Sequence, residues 1–331
     1  MENRENEKRE VAILMATYNG ERFLAEQLES LLSQTHEKFA LYVRDDGSSD
    51  RTMEILSEYV SRDERIHLVD PEASKMQDAE QSGWTLHGAK ENFSCLYEWA
   101  EKNTADSYYM FCDQDDVWLP DKIEDSLSAI THAEELEGED QAILLHTDLR
   151  VVDENLKTIG ESYLAYRALD PSIQDLPHLL AQNNITGCTM MWNRAFMEKV
   201  RLTHPYMYLH DWWMSLSAAA LGRIVYLPKA TILYRQHSGN EVGATKVNSL
   251  SYVLARARDT GRIHRTIRGS MIQAEGMLEA YQGLLSEDDT KVLTTYAELL
   301  HAGKLKKLLT IRRGHYEKQG RIQKIAQRFF I

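Results

Sequence analysis

Val11 to Thr17 reads Val-Ala-Ile-Leu-Met-Ala-Thr, an unbroken apolar run of strand length and the pattern of a parallel strand covered on both faces. Tyr18-Asn19-Gly20 breaks the run, and from Glu21 the apolar positions Phe23, Leu24, Leu28, Leu31 and Leu32 recur at helical spacing, ending before Thr35. Phe39 to Arg44 is a second strand. It enters Asp45-Asp46-Gly47-Ser48-Ser49-Asp50, a turn whose glycine and hydroxyls suit the start of a helix carrying Met53, Ile55, Leu56 and Tyr59. Ile66 to Val69 is a third strand. Strands alternating with helices predict a parallel sheet with right-handed crossovers.

The polar stretch Pro71 to Lys90 interrupts this rhythm and is too long for an ordinary connection, so it reads as a surface or active-site loop. A helix follows from Asn92 to Lys102. Next comes Tyr-Tyr-Met-Phe-Cys-Asp-Gln-Asp-Asp-Val-Trp-Leu-Pro, Tyr108 to Pro120, which runs an apolar strand into three carboxylates, with a helix carrying Ile123, Leu127 and Ile130 beyond Pro120. Ala142 to Val152 is strand-like, and Asp153 to Gln182 gives no clear pattern. Gly187 to Trp192 reads as a buried strand, and His210 opens an apolar helix through Leu221. Ile224 to Leu227 and Thr231 to Tyr234 read as short strands around Pro228. Beyond Asn240 the pattern is helical and basic.

Asp113, Asp115 and Asp116 lie at a strand end, where open α/β sheets present ligands, and neighbouring carboxylates repel unless a cation or proton lies between them. Hard oxygen donors suit Mg²⁺ or Mn²⁺, which complete their shells with water and substrate phosphates. The bland alternative is an acidic turn capping the next helix. Thr17, Tyr18, Asp45 and Asp46 also sit at strand ends. There an Asp can accept the imide N–H of a uracil or thymine ring and a Tyr or Thr can bracket it, although Asp-Gly is a turn signal by itself. Asp211, at the first turn of an apolar helix, can point into a cleft or simply answer the helix dipole. His237 ends a strand and would serve a carboxylate-bound metal as a third ligand. The chain has neither Gly-x-Gly-x-x-Gly after its first strand nor a P-loop, which disfavours dinucleotide and P-loop chemistry.

The 331 residues suffice for a large α/β domain with an appendage. No apolar run approaches the roughly 18 to 20 residues that span a bilayer, and Met1 to Glu10 has no signal-peptide core, so a cytoplasmic protein is expected. Three cysteines, Cys95, Cys112 and Cys188, suggest neither a disulfide framework nor a zinc site. A net charge of −13 argues against nucleic-acid binding. That charge is uneven: from Asn240 onward 16 Lys and Arg face 9 Asp and Glu, which leaves −20 for the rest.

Six segments, in order, resemble family 2 glycosyltransferases of the GT-A fold: Met15-Ala-Thr-Tyr-Asn-Gly-Glu, Arg44-Asp-Asp-Gly-Ser-Ser-Asp, Phe111-Cys-Asp-Gln-Asp-Asp-Val-Trp, Thr186-Gly-Cys-Thr-Met-Met, His210-Asp-Trp-Trp and Tyr234-Arg-Gln-His. Within that family the chain is most similar to bacterial cell-wall and capsule rhamnosyltransferases. The resemblance implies an α/β GT-A mixed sheet flanked by helices over residues 10–240, and a helical basic C-terminal region over 241–331. It implies Thr17, Tyr18, Asp45, Asp46 and Asp113 at the nucleotide, and Asp113, Asp115, Asp116 and His237 at a divalent metal. Asp211 would be the general base, with Thr186, Gly187, His210 and Trp212 lining the sugar and acceptor pocket.

The activity implied is inverting transfer of L-rhamnose from dTDP-β-L-rhamnose to a hydroxyl of a polysaccharide or polyprenyl-linked glycan. Alternatives are another nucleotide sugar, a metal-dependent nucleotidyltransferase, or a non-catalytic sugar-nucleotide-binding scaffold subunit. In the tail, Lys304, Lys306, Lys307, Arg312, Arg313, Lys318, Arg321, Lys324 and Arg328 interleave with Leu305, Leu308, Leu309, Ile311, Ile322, Ile325, Phe329, Phe330 and Ile331. This pattern fits either a helix lying on the inner face of the plasma membrane or one packed on the catalytic domain. A homodimer is compatible with the sequence.

Overall fold

The computed structural model describes residues 11–69, 88–237 and 260–331. Most of the loop expected from Pro71 to Lys90, and the start of the basic region, lie outside the described residues. The first half is β1 (Val11–Thr17), α1 (Leu24–Leu32), β2 (Phe39–Asp45), α2 (Thr52–Arg62), β3 (Ile66–Leu68), α3 (Ala89–Asn103), β4 (Tyr108–Cys112), β5 (Val117–Trp118), α4 (Lys122–Glu137) and β6 (Ile143–Val152). Then come β7 (Thr158–Gly160), α5 (Tyr163–Arg167), α6 (Leu176–Ala181), β8 (Met190–Asn193), α7 (Arg194–Lys199), α8 (His210–Leu221) and β9 (Arg223–Arg235). Four helices follow among the described residues: α9 (Thr260–Ala280), α10 (Glu287–Ala297), α11 (Lys304–Arg313) and α12 (Arg321–Phe330).

One mixed sheet runs β3-β2-β1-β4-β8-β6-β9-β5, with β7 on β6. Strands β3, β2, β1 and β4 are mutually parallel, as the early alternation predicts, and β8 turns antiparallel to β4. The unbroken apolar run of β1 has its cause in the core. Val11, Ile13 and Met15 enter one buried cluster with Leu28, Leu41 and Met110, while Ala12 and Leu14 enter the other with Phe93, Phe111 and Trp192. Both faces are covered, so neither needs polar residues. Each large side chain so buried contributes on the order of 2 kcal/mol.

Two strand expectations change. Gly187–Thr189 is a 3-10 turn rather than the start of a strand, because the Thr189 N–H and hydroxyl both donate to Thr186 O, at 3.0 and 2.6 Å. β8 begins only at Met190. The two short strands around Pro228 form one strand, β9. Its register against β6 shifts between His146↔Tyr226 and Asp148↔Ala230, an irregularity that accommodates the proline's missing N–H. The unassigned stretch 153–182 holds β7, α5 and α6, elements of three to six residues too short to show a period.

Helix α9 places Ile263, Ile267, Met271, Ala274 and Met277 at helical spacing in the same cluster as Leu180, Trp213 and Leu216. Tyr281 then reaches into that core, where its hydroxyl pairs with Ser217 at 2.9 Å and accepts from Trp213 Nε1 at 3.1 Å. α11 and α12 are more superficial. On α12 the buried positions are Gln323 and Gln327, while Ile325 and Phe329 are 57% and 72% exposed.

Candidate active site

The carboxyl ends of β1, β2 and β4, the first turn of α8 and the start of α3 enclose a cleft of about 850 Å³. Thr17, Tyr18, Asp46, Asn92, Asp113, Gln114, Asp115, Thr186, Gly187, His210 and Asp211 all line it. Residues separated by nearly 200 positions are thus gathered at the end of the sheet where α/β folds bind ligands.

The first end is a rigid frame. Asp46 is held by Arg44, Oδ1 to Nη1 at 3.6 Å, and its Oδ2 accepts the Gly88 N–H at 2.9 Å. Arg44 Nη1 also donates to Asn92 Oδ1 at 2.9 Å, while Asn92 Nδ2 donates to Thr17 O and Arg44 O at 3.3 and 3.2 Å. Tyr18, 56% exposed, offers the largest free aromatic surface beside this frame. Asp45 is placed differently from expectation. Its carboxylate accepts from Thr17 Oγ1 (2.8 Å), Gly47 N (3.0 Å), Ser48 N (2.7 Å) and Ser48 Oγ (2.6 Å), so it builds the turn and does not line the cleft.

Four successive amides after β1 are each answered by a side chain: Tyr18 N by Gln114 Oε1 (2.9 Å), Asn19 N by Ser48 Oγ (2.8 Å), Gly20 N by Thr52 Oγ1 (2.8 Å) and Glu21 N by Asp50 Oδ2 (3.0 Å). A phosphate-binding loop keeps such N–H groups open for its ligand. Here they are spent on structure, so phosphate charge has to be met by other groups.

The acidic end carries Asp113 and Asp115 on the cleft wall. Asp115 Oδ2 lies 2.7 Å from His237 Nε2, and the His237 ring packs on Phe23 at 4.8 Å between centroids. Asp116 turns inward instead and is fully buried, with its Oδ1 accepting the Arg235 N–H at 3.1 Å. Burial, together with the charges of Asp115 and Asp113, pushes its carboxyl well above the usual range, so the neutral acid is favoured. Asp113 and Asp115, which share the cleft wall, and the imidazole beside Asp115 are donors of the kind Mg²⁺ or Mn²⁺ takes, while the donor atoms brought within 4.8 Å of one another among the described residues are those of Asp113, Asp116 and Cys188.

Arg235, absent from the sequence-derived site, locks this end. Its buried guanidinium donates to Asp115 O at 2.8 Å and Glu154 O at 2.7 Å, pairs with Glu26, and lies 4.5 Å over the Phe23 ring. A signal was available in the sequence: an arginine inside an apolar strand must find several acceptors.

Asp211 and His210 form the first turn of α8, and both line the cleft beside Thr186 and Gly187. Gly187 is required there, since a Cβ would lie 2.9 Å from His210 Nε2 and 3.5 Å from Asp211 Cβ. The His210 ring is stacked on Phe93 at 4.6 Å and meets Phe111 edge-on at 5.3 Å. Burial and the Lys90 charge push it down to about 3, so it stays neutral at physiological pH. Trp212 does not join the pocket. It is 4% exposed, its indole N–H donates to Leu179 O at 2.6 Å, and it packs into the core behind α8.

Residues 12–76 match the model of the family described as glycosyl transferase family 2. The dTDP-rhamnosyl transferase RfbG of Shigella flexneri is 28% identical over 233 residues, covering 70% of this chain and 74% of the relative. Among solved structures, Staphylococcus aureus TarS 1-349 in complex with UDP-GlcNAc aligns with a TM-score of 0.52 at 16% identity, over 93% of this chain and 88% of that one. The mannosyltransferase PcManGT of Pyrobaculum calidifontis, in complex with GDP-Man and Mn²⁺, aligns with a TM-score of 0.52 at 13% identity, over 93% and 74% of the two chains. These structural likenesses concern the fold.

Proposed function

We propose, for a chain that is a family 2 glycosyltransferase of the GT-A fold, that it transfers L-rhamnose from dTDP-β-L-rhamnose with inversion onto a hydroxyl of a polysaccharide or lipid-linked glycan. The observation that carries this reading is the convergence in one cleft of an aromatic face with a fixed carboxylate (Tyr18, Asp46), an acidic wall (Asp113, Asp115) and a helix-start carboxylate (Asp211). The rhamnosyl donor is favoured by the similarity to a dTDP-rhamnosyl transferase.

In this reading Asp46, fixed by Arg44 and Gly88, accepts the thymine imide N–H while Tyr18 covers the ring. Asp113 and Asp115 would hold Mg²⁺ or Mn²⁺, with His237 behind Asp115; when bound, the ion neutralises the pyrophosphate leaving group. The spent amides after β1 are the reason a cation is needed. Asp211 accepts the acceptor hydroxyl's proton as that oxygen attacks the anomeric carbon from the face opposite the leaving group, turning β into α. His210 stays neutral and shapes the pocket beside Asp211. A single displacement requires no enzyme nucleophile.

No helix among the described residues is long and apolar enough to cross a membrane. The exposed Leu305, Leu309, Ile325 and Phe329 stand among the lysines and arginines of α11 and α12. This supports a peripheral position on anionic lipid for the C-terminal region 241–331, with the catalytic unit in 10–240. The donor is tested by calorimetry against dTDP-, UDP- and GDP-sugars. Tightest binding of dTDP-rhamnose supports the reading, and preference for a UDP- or GDP-sugar replaces rhamnose by that sugar.

A further inference from the structure

Gln114 sits between the two cleft carboxylates, yet its side chain turns away from them. Its Nε2 donates to Tyr18 O and its Oε1 accepts the Tyr18 N–H, both at 2.9 Å. This reciprocal pair mimics one rung of a β-ladder and joins positions 96 residues apart in sequence. A primary amide of this length can donate to the carbonyl and accept from the N–H of one residue at once. A carboxylate could only accept, and a thioether could do neither with useful strength.

The space for that amide comes from a missing side chain. A Cβ on Gly20 would lie 2.3 Å from Gln114 Oε1 and 2.8 Å from its Cδ. The clash would fall on the movable end of Gln114, not on the backbone. The rest of the turn is anchored elsewhere: Asn19 has a left-handed φ of 47°, and Asn19, Gly20 and Glu21 are all tied to the β2–α2 turn. Tyr18 is therefore the one residue of this turn whose backbone is held by the acidic wall.

We infer that Gln114 is a positioning residue: its amide fixes the aromatic face of Tyr18 for the nucleotide base and so links the base end of the cleft to the carboxylates on either side of it. This deepens the donor reading above and rests on it. Without the amide, Tyr18 keeps its neighbours but loses both main-chain bonds, and the ring samples orientations that do not stack. A base then binds only when the ring is correctly placed, which lowers apparent affinity by the populated fraction.

The test combines two measurements on the full chain. Hydrogen exchange read on the Tyr18 amide needs no ligand. Exchange should accelerate at least tenfold in Gln114→Met, with β1 and β4 amides unchanged, and Gln114→Glu should keep most of the protection because Oε1 survives as an acceptor. Calorimetry with dTDP in EDTA reads the ligand side. We expect Gln114→Met to weaken dTDP about tenfold, Tyr18→Ala to do the same, and the double variant to add little, since both remove one feature. Gly20→Ala should weaken dTDP in the wild-type background and have no effect in the Gln114→Met background.

Additive losses, or a Gly20→Ala effect that persists without Gln114, would overturn the inference by showing that the residues act separately. So would an unchanged Tyr18 amide. If the wild-type chain binds neither dTDP nor UDP, the donor reading and the base-stacking role fall together, whereas exchange still decides whether Gln114 holds the turn.

Discussion

The two ends of the cleft are built on opposite plans. At the proposed base end, many small bonds satisfy the polar groups: Asp45 closes its own turn, and Ser48, Asp50 and Thr52 answer the amides of residues 19–21. At the proposed transfer end the groups come from β4, α8 and β9, and they are held by a few contacts such as the Arg235 guanidinium on Asp115 O. A frame made of many small bonds loses affinity by degrees when one is removed. An arrangement in which each group has one chemical task loses its task outright. Substitutions at the first end should therefore act on binding, and those at the second on turnover.

The largest effect is expected at Asp211. Asp211→Asn keeps the shape and removes the basicity, so kcat should fall by roughly 10²- to 10⁴-fold with donor affinity nearly unchanged. Normal turnover, or failure to bind donor, would move the base role elsewhere. Next comes Asp115→Asn, which removes a charge from the acidic wall and the partner of His237. Activity and its response to added Mg²⁺ or Mn²⁺ should be lost together, and full wild-type activity in EDTA would remove the metal from the scheme.

Asp46→Ala is the contrasting case at the base end. It should weaken dTDP about tenfold while saturating donor restores most of kcat, because in the proposed reading Asp46 meets the base and not the reacting atoms. Equal dTDP affinity in calorimetry would make Asp46 part of the turn alone.

The smallest effect on turnover is expected beneath the acidic wall, where Lys122 is fully buried 4.6 Å from the Trp118 ring. Burial pushes its ammonium down to about 8, so between pH 8 and the ordinary lysine value of 10.5 the unfolded chain holds a proton that the folded chain has released. Stability from this group therefore rises with pH across that window. Lys122→Met should raise the melting temperature by a few degrees near pH 7, with the gain shrinking as pH rises from 8 to 10.5. A lower melting temperature at pH 7 would show that the buried charge is held by more than the ring.

Much of the cleft lining was legible because it is local in sequence. Asp46 follows a strand, Asp113 and Asp115 follow another, and Asp211 opens an apolar helix. Each expectation needed only a strand or helix end. What misled was orientation within those ends. Trp212 follows Asp211 by about 100° around α8 and faces the core. Neighbours in sequence were read as neighbours in the pocket. What stayed invisible was pairing across distance, including Gln114 with Tyr18, Arg44 and Asn92 around Asp46, and Arg235 under Asp115. No periodicity records such contacts, since each depends on which strands become adjacent. The parallel half of the sheet was readable from alternation, whereas the antiparallel turn at β8 was not, because Gly187 to Trp192 is apolar whichever direction it runs.

The central claim, displacement at the anomeric carbon rather than at phosphorus, is tested most directly by nuclear magnetic resonance of one reaction. The wild-type chain is incubated with dTDP-β-L-rhamnose and Mg²⁺, with water or a glycan hydroxyl as acceptor, and the products are followed through their phosphorus and anomeric proton signals. The account predicts free dTDP together with rhamnose released or transferred first as the α anomer. Appearance of dTMP with rhamnose 1-phosphate would place the cut between the phosphates, and a β product would require two displacements, with a cleft carboxylate as nucleophile in place of the single one proposed; either result contradicts the account.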